Sequence, residues 1–485
     1  MSDTIFGRER ELKILERLLH SPKPEFLAIY GRRRVGKTHL IHEFYKDKGV
    51  YFSVTGSKNS NKKLQLRKFY RELKSKFLLP DTDKEPKDWD EALFVLKEAV
   101  SKINLSQKVI LFFDELPWLA SNRSGFLPAL EYLWNQHFSR MNNILLIVCG
   151  SAATWIIKKI INNKGGLYGR LSETIKLNAF SLSETEKFLR SRNVQLSRKQ
   201  LVELYMALGG IAKYLTYIHP GESTAQAVNR LCFTPQGQLV EEFNNLYHSL
   251  FDNSEQHIDI VKELARKKSG LSQKELLDKL RIPSGGHASL ILEELQESGF
   301  ISASLGFEKK TKDKRIWLID EYSYFYTTWM EGVKGSILLG NDRDYWLKMQ
   351  NDSRWKTWAG YAFESICFKH IAQIKKALGI SAVLTTESQW RHRPKDKAEK
   401  GAQIDLIIDR KDGCINLCEI KFHHSSFTID QNYARELAQK IAVFKEETQT
   451  SKAIFLTLIT PFGLHKNEYS IELVQQELNL DDLFE

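Results

Sequence analysis

No apolar run in this 485-residue chain reaches the roughly 18 residues that a membrane-spanning helix needs, so no membrane partner is expected. The N-terminus, Met1-Ser2-Asp3-Thr4-Ile5-Phe6, lacks a basic stretch followed by an apolar core, and no secretory leader is read there. Cysteine is scarce. The five, at 149, 232, 367, 414 and 418, include no C-x-x-C pair, which argues against zinc and for a reducing, cytoplasmic compartment. Cys414 and Cys418 read most simply as strand residues. Acids are outnumbered: 60 Asp and Glu stand against 71 Lys and Arg, a formal charge of +11, which favours a polyanionic partner such as nucleic acid. The remainder is ordinary globular material, 42% hydrophobic and 27% charged. It is too long for one core, and roughly two to four domains are expected.

The stretch that organises the chain is Gly31-Arg32-Arg33-Arg34-Val35-Gly36-Lys37-Thr38, which reads G-x-x-x-x-G-K-T. Phe26 to Tyr30 before it is a short apolar run that makes a buried strand, and His39 to Phe44 after it suits a helix. Glycines let the loop curl so that its N–H groups face phosphate, and the helix N-terminus adds partial positive charge. ATP is the expected ligand, contacted from Gly31 through His39. Lys37 would reach the β- and γ-phosphates, and Thr38 would hold Mg²⁺. Val109 to Phe113 is a second apolar strand, ending in Asp114 and Glu115. A carboxylate at a strand's C-terminal edge lies where a parallel sheet opens onto its ligand. Asp114 is expected in the Mg²⁺ shell and Glu115 as the base that orients the attacking water.

Phe6-Gly7-Arg8 leads into an amphipathic helix, Leu12 to Leu19, and would bring backbone near an adenine or simply start that helix. Lys58 to Lys76 is a basic helical segment, by default a solvated face, with direct nucleic-acid contact as the alternative. Helix is expected over Leu130 to Phe138. The strand Ile144 to Gly150 ends at Ser151, a γ-phosphate sensor, a helix N-cap, or both. Arg170 follows in Leu167-Tyr168-Gly169-Arg170, placed as an arginine finger for its own or a neighbouring copy's site, or as a surface ion pair. Thr174 to Leu177 is a final strand, and Ser181 with Glu184 starts a helix by a capping box. Leu208 to Leu215 lies in a helical lid. The motifs GRExEL, GRRRVGKT, FFDELPWL, CGS, LYGR and GGIAKYL, in this order, resemble the archaeal-type P-loop ATPase family, related to the STAND and AAA+ ATPases. The resemblance covers residues 1 to about 235 and implies an α/β core with a helical lid. Ala212 departs from it, since relatives commonly carry proline there.

Asn253 to Ala265, a helix opening at Leu271-Ser272, Ser289 to Glu297, and a hairpin of Phe300–Ser304 with Arg315–Ile319 read as a winged helix-turn-helix. Its Ser284–Ser298 segment carries Glu293, Glu294 and Glu297 and no arginine, which phosphate would repel. Packing or dimerisation is therefore the stronger reading, with the charged tip Lys309–Lys314 left to touch phosphate. An aromatic helix, Asp320 to Trp329, follows as a linker.

Further on come a long helix, Trp358 to Ala377, and strands at Ala382–Thr386, Gln403–Ile408 and Cys414–Lys421. A helix over Asp430–Glu446 and a strand over Lys452–Thr460 complete the region. Asp405 lies 14 residues before Glu419, and Lys421 two after it, on the same strand face. Paired as a hairpin, these strands would set Asp405 beside Glu419. With Glu364 they would bind a divalent cation, Mg²⁺ or Mn²⁺, while Lys421 polarises a water. The order of elements and the pattern E…D…E-x-K resemble the PD-(D/E)xK nuclease fold over residues 355 to 460. Gln439-Lys440 is a candidate backbone contact, and Trp390 to Lys400 a basic phosphate-gripping loop.

The expected architecture is thus α/β: a P-loop ATPase core (1–180), a helical lid (181–245), a winged helix (246–320), an aromatic linker (321–354) and a restriction-endonuclease-like domain (355–485). The expected activity is ATP-dependent or ATP-gated DNA processing. A nucleotide-switched regulator or scaffold is the alternative, and a transcription regulator acting through the winged helix is a third.

Overall fold

The computed structural model describes residues 5–79, 85–121, 123–307, 314–340, 344–349, 352–394 and 400–485. Residues 1–4, the wing-tip residues 309–313 and positions 395–399 of the basic loop lie outside the described residues. The chain divides into two compact units, one of residues 1–179 with 249–252 and 293–299, the other of 180–248, 253–292 and 300–485.

The first unit is built on a five-stranded sheet. Its strands are β1 (Glu25–Tyr30), β2 (Val50–Thr55), β3 (Val109–Asp114), β4 (Ile144–Gly150) and β5 (Glu173–Lys176), in the order β2-β3-β4-β1-β5. All pairs are parallel. β3 and β4 are buried along their whole length, which is why they read as unbroken apolar runs rather than alternating ones. The register pairs Tyr30 with Gly150 and Thr55 with Asp114, so the loop after β1 and the acids after β3 emerge at one edge. Below that edge the rings of Phe69, Trp89, Phe113 and Phe126 pack at centroid distances of 4.8–6.5 Å. Two helix starts differ from expectation. The first helix runs Glu9–Leu19, beginning after Arg8 in a left-handed conformation. The helix expected from Leu130 begins at Phe126, because Gly125 turns the chain at φ 80°.

In the second unit Ser181 and Glu184 form the expected capping box on the Leu182–Ser191 helix. Gly210 is forced there by space: a Cβ would stand 1.9 Å from the Phe180 carbonyl oxygen. The Glu255–Arg266 helix is followed by β6 (Leu271–Ser272), the Gln273–Leu280 helix, β7 (Ile301–Ser304) and β8 (Arg315–Leu318), and the three strands form a small sheet ordered β6-β8-β7. β6 escapes a sequence reading because two residues carry no period.

A second five-stranded sheet follows, ordered β13-β12-β11-β10-β9. Its members are β9 (Thr385–His392), β10 (Ala402–Arg410), β11 (Cys414–Ile420), β12 (Ala453–Ile459) and β13 (Gln476–Leu478). β9–β10 and β10–β11 are antiparallel, and the rest parallel. Two expectations are corrected. The long helix is broken into Ser353–Lys369 and Ile371–Ala377, because His370 leaves the helix at φ −106°, ψ 28°, and its buried ring accepts from the Leu182 N–H. The first strand lies later than Ala382–Thr386, so that Trp390 to His392 are strand and not loop. Trp390 is buried against Phe444 at 5.1 Å, and that anchor sets the strand's position.

Candidate functional site

In the first unit the loop after β1 must turn sharply. Gly31 sits at φ 140°, Arg34 at 72° and Gly36 at 97°. A Cβ on Gly31 would meet the Leu177 carbonyl oxygen at 2.3 Å, so only glycine fits. Gly36 caps the Lys37–Tyr45 helix, whose N–H groups face the loop's interior. Lys37 is buried and donates to the carbonyls of Gly31 and Arg32, both at 2.9 Å, which holds its ammonium inside the loop. Val35 and Arg32 are buried, Arg33 and Arg34 half-buried, and Thr38 and His39 open to solvent on the first helical turn. Arg8 braces the loop by donating to the Val35 carbonyl at 3.2 Å.

The acids after β3 meet the loop. Thr38 Oγ1 donates to Asp114 Oδ2 at 2.8 Å. Burial raises the Asp114 pKa, against hydrogen bonds from Cys149 and Thr38 that lower it. A hydroxyl and a buried carboxylate in contact are the donor chemistry that Mg²⁺ takes, so the residues present fit the ion. Glu115 stands in the left-handed region at φ 46°, a conformation that L-residues adopt at a cost. Its carboxylate accepts from the Ser151 hydroxyl and, at 3.2 Å, from the Ser151 N–H. Ser151 is therefore not an N-cap: the following helix has Ala152 in that place, with no side-chain cap. Arg170 is exposed, and no ion pair involves it among the described residues. Cys149, under Asp114, was the contributor that sequence reasoning passed over; its place two residues before Ser151 on a strand was the available signal.

The second unit carries the other set. β10 and β11 pair Leu406 with Cys418 in antiparallel register, which runs on to set Asp405 beside Glu419. Asp405 is 6% exposed and accepts from the Ile420 N–H at 3.0 Å. Glu419, 2% exposed, accepts from Lys421 at 2.6 Å, Lys440 at 2.8 Å and the Tyr433 hydroxyl at 3.0 Å. Lys421 stands 4.0 Å from Asp405. Glu364 faces them from the Ser353–Lys369 helix. Burial, then repulsion from Asp405, pushes its pKa up to about 8. Burial, then repulsion from Glu419, pushes Asp405 up to about 6. Burial pulls the Lys421 ammonium down, but Glu419 and Asp405 outweigh it and the net shift is upward, so Lys421 stays charged and acts as a cation rather than a base. The residues open onto a cleft of about 700 Å³ that also exposes Lys356, Arg391, Arg393 and Gln439.

The fit to a cation here is partial. Asp405 is buried and Glu364 half-buried, and their charges oppose one another, which a divalent ion would relieve. Glu419 is taken up by two ammonium groups and a phenol. Among the described residues no three acids, histidines or cysteines converge closely enough to hold a metal ion. Lys440 and Tyr433 lie on the next helix, Gln431–Thr448, whose phase against the sheet is not read from sequence.

Residues 5–218 match the family model described as an ATPase domain predominantly from Archaea. An uncharacterized protein of Methanocaldococcus jannaschii, MJECL04, is 23% identical over 407 residues, 82% of this chain and 83% of its own length. An uncharacterized ATP-binding protein of the same organism, MJ0423, is 46% identical over 44 residues, 9% of this chain and 75% of its own. Among solved structures, a Walker-type ATPase of Pyrococcus abyssi superposes with a TM-score of 0.49 at 20% identity, covering 67% of this chain and 96% of its own. The ORC2 protein of Aeropyrum pernix gives 0.43 at 16% identity, covering 70% and 97%. By the family model, residues 5–218 are similar to an ATPase domain, and they contain the parallel α/β sheet described above. No helix among the described residues is long and apolar enough to cross a membrane.

Proposed function

We propose that the chain couples ATP hydrolysis to the processing of nucleic acid, most simply DNA, by a metal-dependent nuclease-like domain. One observation carries the reading: Asp405, Glu419, Lys421 and Glu364 converge at the floor of a basic-rimmed cleft, in a chain whose residues 5–218 are similar to an ATPase domain. In the ATP site, Lys37 would neutralise β- and γ-phosphate charge, and Thr38 with Asp114 would hold Mg²⁺. Glu115 would orient the attacking water once released from Ser151, and Ser151 would then be free to sense the γ-phosphate. Arg170, exposed and in no ion pair among the described residues, would be available to its own site or to that of a second copy. In the cleft, Asp405 and Glu364 would hold Mg²⁺ or Mn²⁺, which supplies charge neutralisation at a scissile phosphate. Lys421 would steady the attacking water or the phosphate as a fixed cation. The helices and small sheet before this domain suit a winged helix that packs rather than reads bases. Residues 181–245 suit a lid, 321–354 a linker and 355–485 the nuclease-like domain, in a chain that works in the cytoplasm.

A second reading is favoured by the three donors on Glu419. With that acid engaged, the domain would bind without cutting, and the chain would be a nucleotide-switched regulator. The test is cleavage of single- and double-stranded DNA and RNA by the wild type and Asp405→Ala, with Mg²⁺ or Mn²⁺, with and without ATP. Cleavage that the mutant lacks supports the nuclease. Intact substrates beside normal ATP hydrolysis move the assignment to the switch.

A further inference from the structure

The wall of the C-terminal cleft has a feature that packing does not account for. The Ser353–Lys369 helix carries Gly360 near its middle, where glycine is less favourable than alanine by about 1 kcal/mol. Its φ is ordinary, and a Cβ there would meet no protein atom within 4 Å. Neither backbone conformation nor a neighbour requires the residue. What the missing Cβ leaves is space on the cleft side, since Gly360 lines the cleft with Lys356, Thr357, Tyr361 and Glu364. Lys356, Gly360 and Glu364 follow at i, i+4 and i+8, so they form one stripe leading down to the acids. Lys356 is at the exposed end. Tyr361 stands beside Gly360 with 38% of its surface exposed, a large ring left in solvent at the mouth of a polar site. Arg391 and Arg393 line the same cleft.

These are the parts of a single-strand track: cations for the backbone, an aromatic face for a base, and a gap where the chain comes close. A cleft of about 700 Å³ is of small-ligand size. A single strand can turn an unstacked base onto an aromatic ring there, which a paired duplex cannot do without opening. Asp405 and Glu419 lie at its floor, nearly closed to solvent, so a phosphodiester must enter the cleft to reach them.

We infer that the cleft takes a single-stranded polynucleotide, whose backbone crosses the helix at Gly360 between Lys356 and Glu364 and one of whose bases stacks on Tyr361. The inference deepens the nuclease-like reading and rests on it for the location of the site. DNA and RNA share the chemistry, and the arms of the test separate them.

The experiment is fluorescence anisotropy on the full chain in EDTA, so that nothing is cut. The probes are a short labelled oligodeoxynucleotide, its RNA counterpart, and the blunt DNA duplex of the same sequence. Wild type should bind one or both single strands at least about tenfold more tightly than the duplex. Tyr361→Ala should weaken single-strand binding by roughly 5- to 100-fold, the range for one stacked base. Gly360→Ala should weaken it about as much while keeping or raising Tm, since alanine suits a helix better; lost binding in a more stable protein excludes misfolding as the cause. Single-strand binding by a wild type that cleaves nothing in Mg²⁺ or Mn²⁺ removes the nuclease reading and leaves the track standing. Equal affinity for the duplex, or single-strand binding indifferent to Gly360→Ala and Tyr361→Ala, overturns the inference.

Discussion

Replacing Glu364 by glutamine should remove much of the high-pH loss of stability in the second unit. Burial and then Asp405 push the Glu364 pKa from its ordinary 4.5 up to about 8. A raised folded-state pKa means that the folded protein holds the proton more tightly than the unfolded chain. The stabilisation is full below about 4.5 and is lost as pH rises through 8. An isolated carboxyl moved that far would carry about 5 kcal/mol, at about 1.4 kcal/mol per tenfold change in proton affinity. Asp405 shares the repulsion and side chains relax, so roughly 2–3 kcal/mol is the expected difference. Glutamine is neutral throughout. At pH 5 the variant should match the wild type within about 1 kcal/mol, and at pH 9 it should be more stable by roughly 2–3 kcal/mol. Urea unfolding followed by tryptophan fluorescence reads this, because Trp355, Trp358 and Trp390 are all buried in that unit. Parallel pH curves for the two proteins would refute the reasoning. Mn²⁺ should flatten the wild-type curve if Asp405 and Glu364 ligate it, and leave the curve unchanged if they do not.

Four further outcomes are expected. Lys37→Ala should lower ATP hydrolysis about 10²–10³-fold, the cost of removing a charge-stabilising donor, and phosphate release would measure it. Glu115→Gln should keep ATP binding and lose about 10²–10⁴ in turnover, separable by nucleotide titration beside the rate assay. Gly31→Ala, at φ 140° with its Cβ 2.3 Å from the Leu177 carbonyl oxygen, should destabilise the first unit by at least about 2 kcal/mol and abolish nucleotide binding. Lys440→Met frees Glu419 from one of its two cations. If the cleft acids form a cation site, Mn²⁺ affinity by calorimetry should rise, at a stability cost of about 1–3 kcal/mol.

The two sites differed in how far the sequence exposed them. The phosphate loop is contiguous, and its chemistry is mostly backbone, so eight residues specify both its shape and its ligand. Asp114 was legible because a wholly buried strand has only one wet end. The C-terminal site depends on register. Asp405 and Glu419 could be placed together only by assuming a hairpin, and the pairing of Leu406 with Cys418 is that hairpin. Where the reading slipped, a single side chain had overridden a local pattern. His370 breaks a helix that periodicity carries through, by spending its ring on the Leu182 backbone. Trp390 pulls into a strand a stretch that its basic neighbours made look like a loop.

What lay beyond reach is the state of Glu419. The pattern E-x-K says that Glu419 and Lys421 share a face, and an ion pair between them was the plain alternative to a metal site. The structure gives that pair at 2.6 Å and adds Lys440 and Tyr433 from a helix whose phase no spacing in the strands encodes. The same contacts bear on function in opposite directions. Two cations and a phenol make Glu419 a poor ligand as it stands, which suits a domain that binds. Yet burial raises both the Asp405 and the Glu364 pKa, with Asp405 adding to the Glu364 shift and Glu419 to the Asp405 shift, an arrangement that a divalent ion would relieve. Lys421 and Lys440 offset part of that rise, and the net shift of both acids stays upward. On the proposed nuclease-like reading the site would be completed by a cation and a phosphate arriving together, with Lys421 or Lys440 released from Glu419 to the phosphate. Lys440→Met is the variant that separates these readings, because it loosens Glu419 without touching an acid.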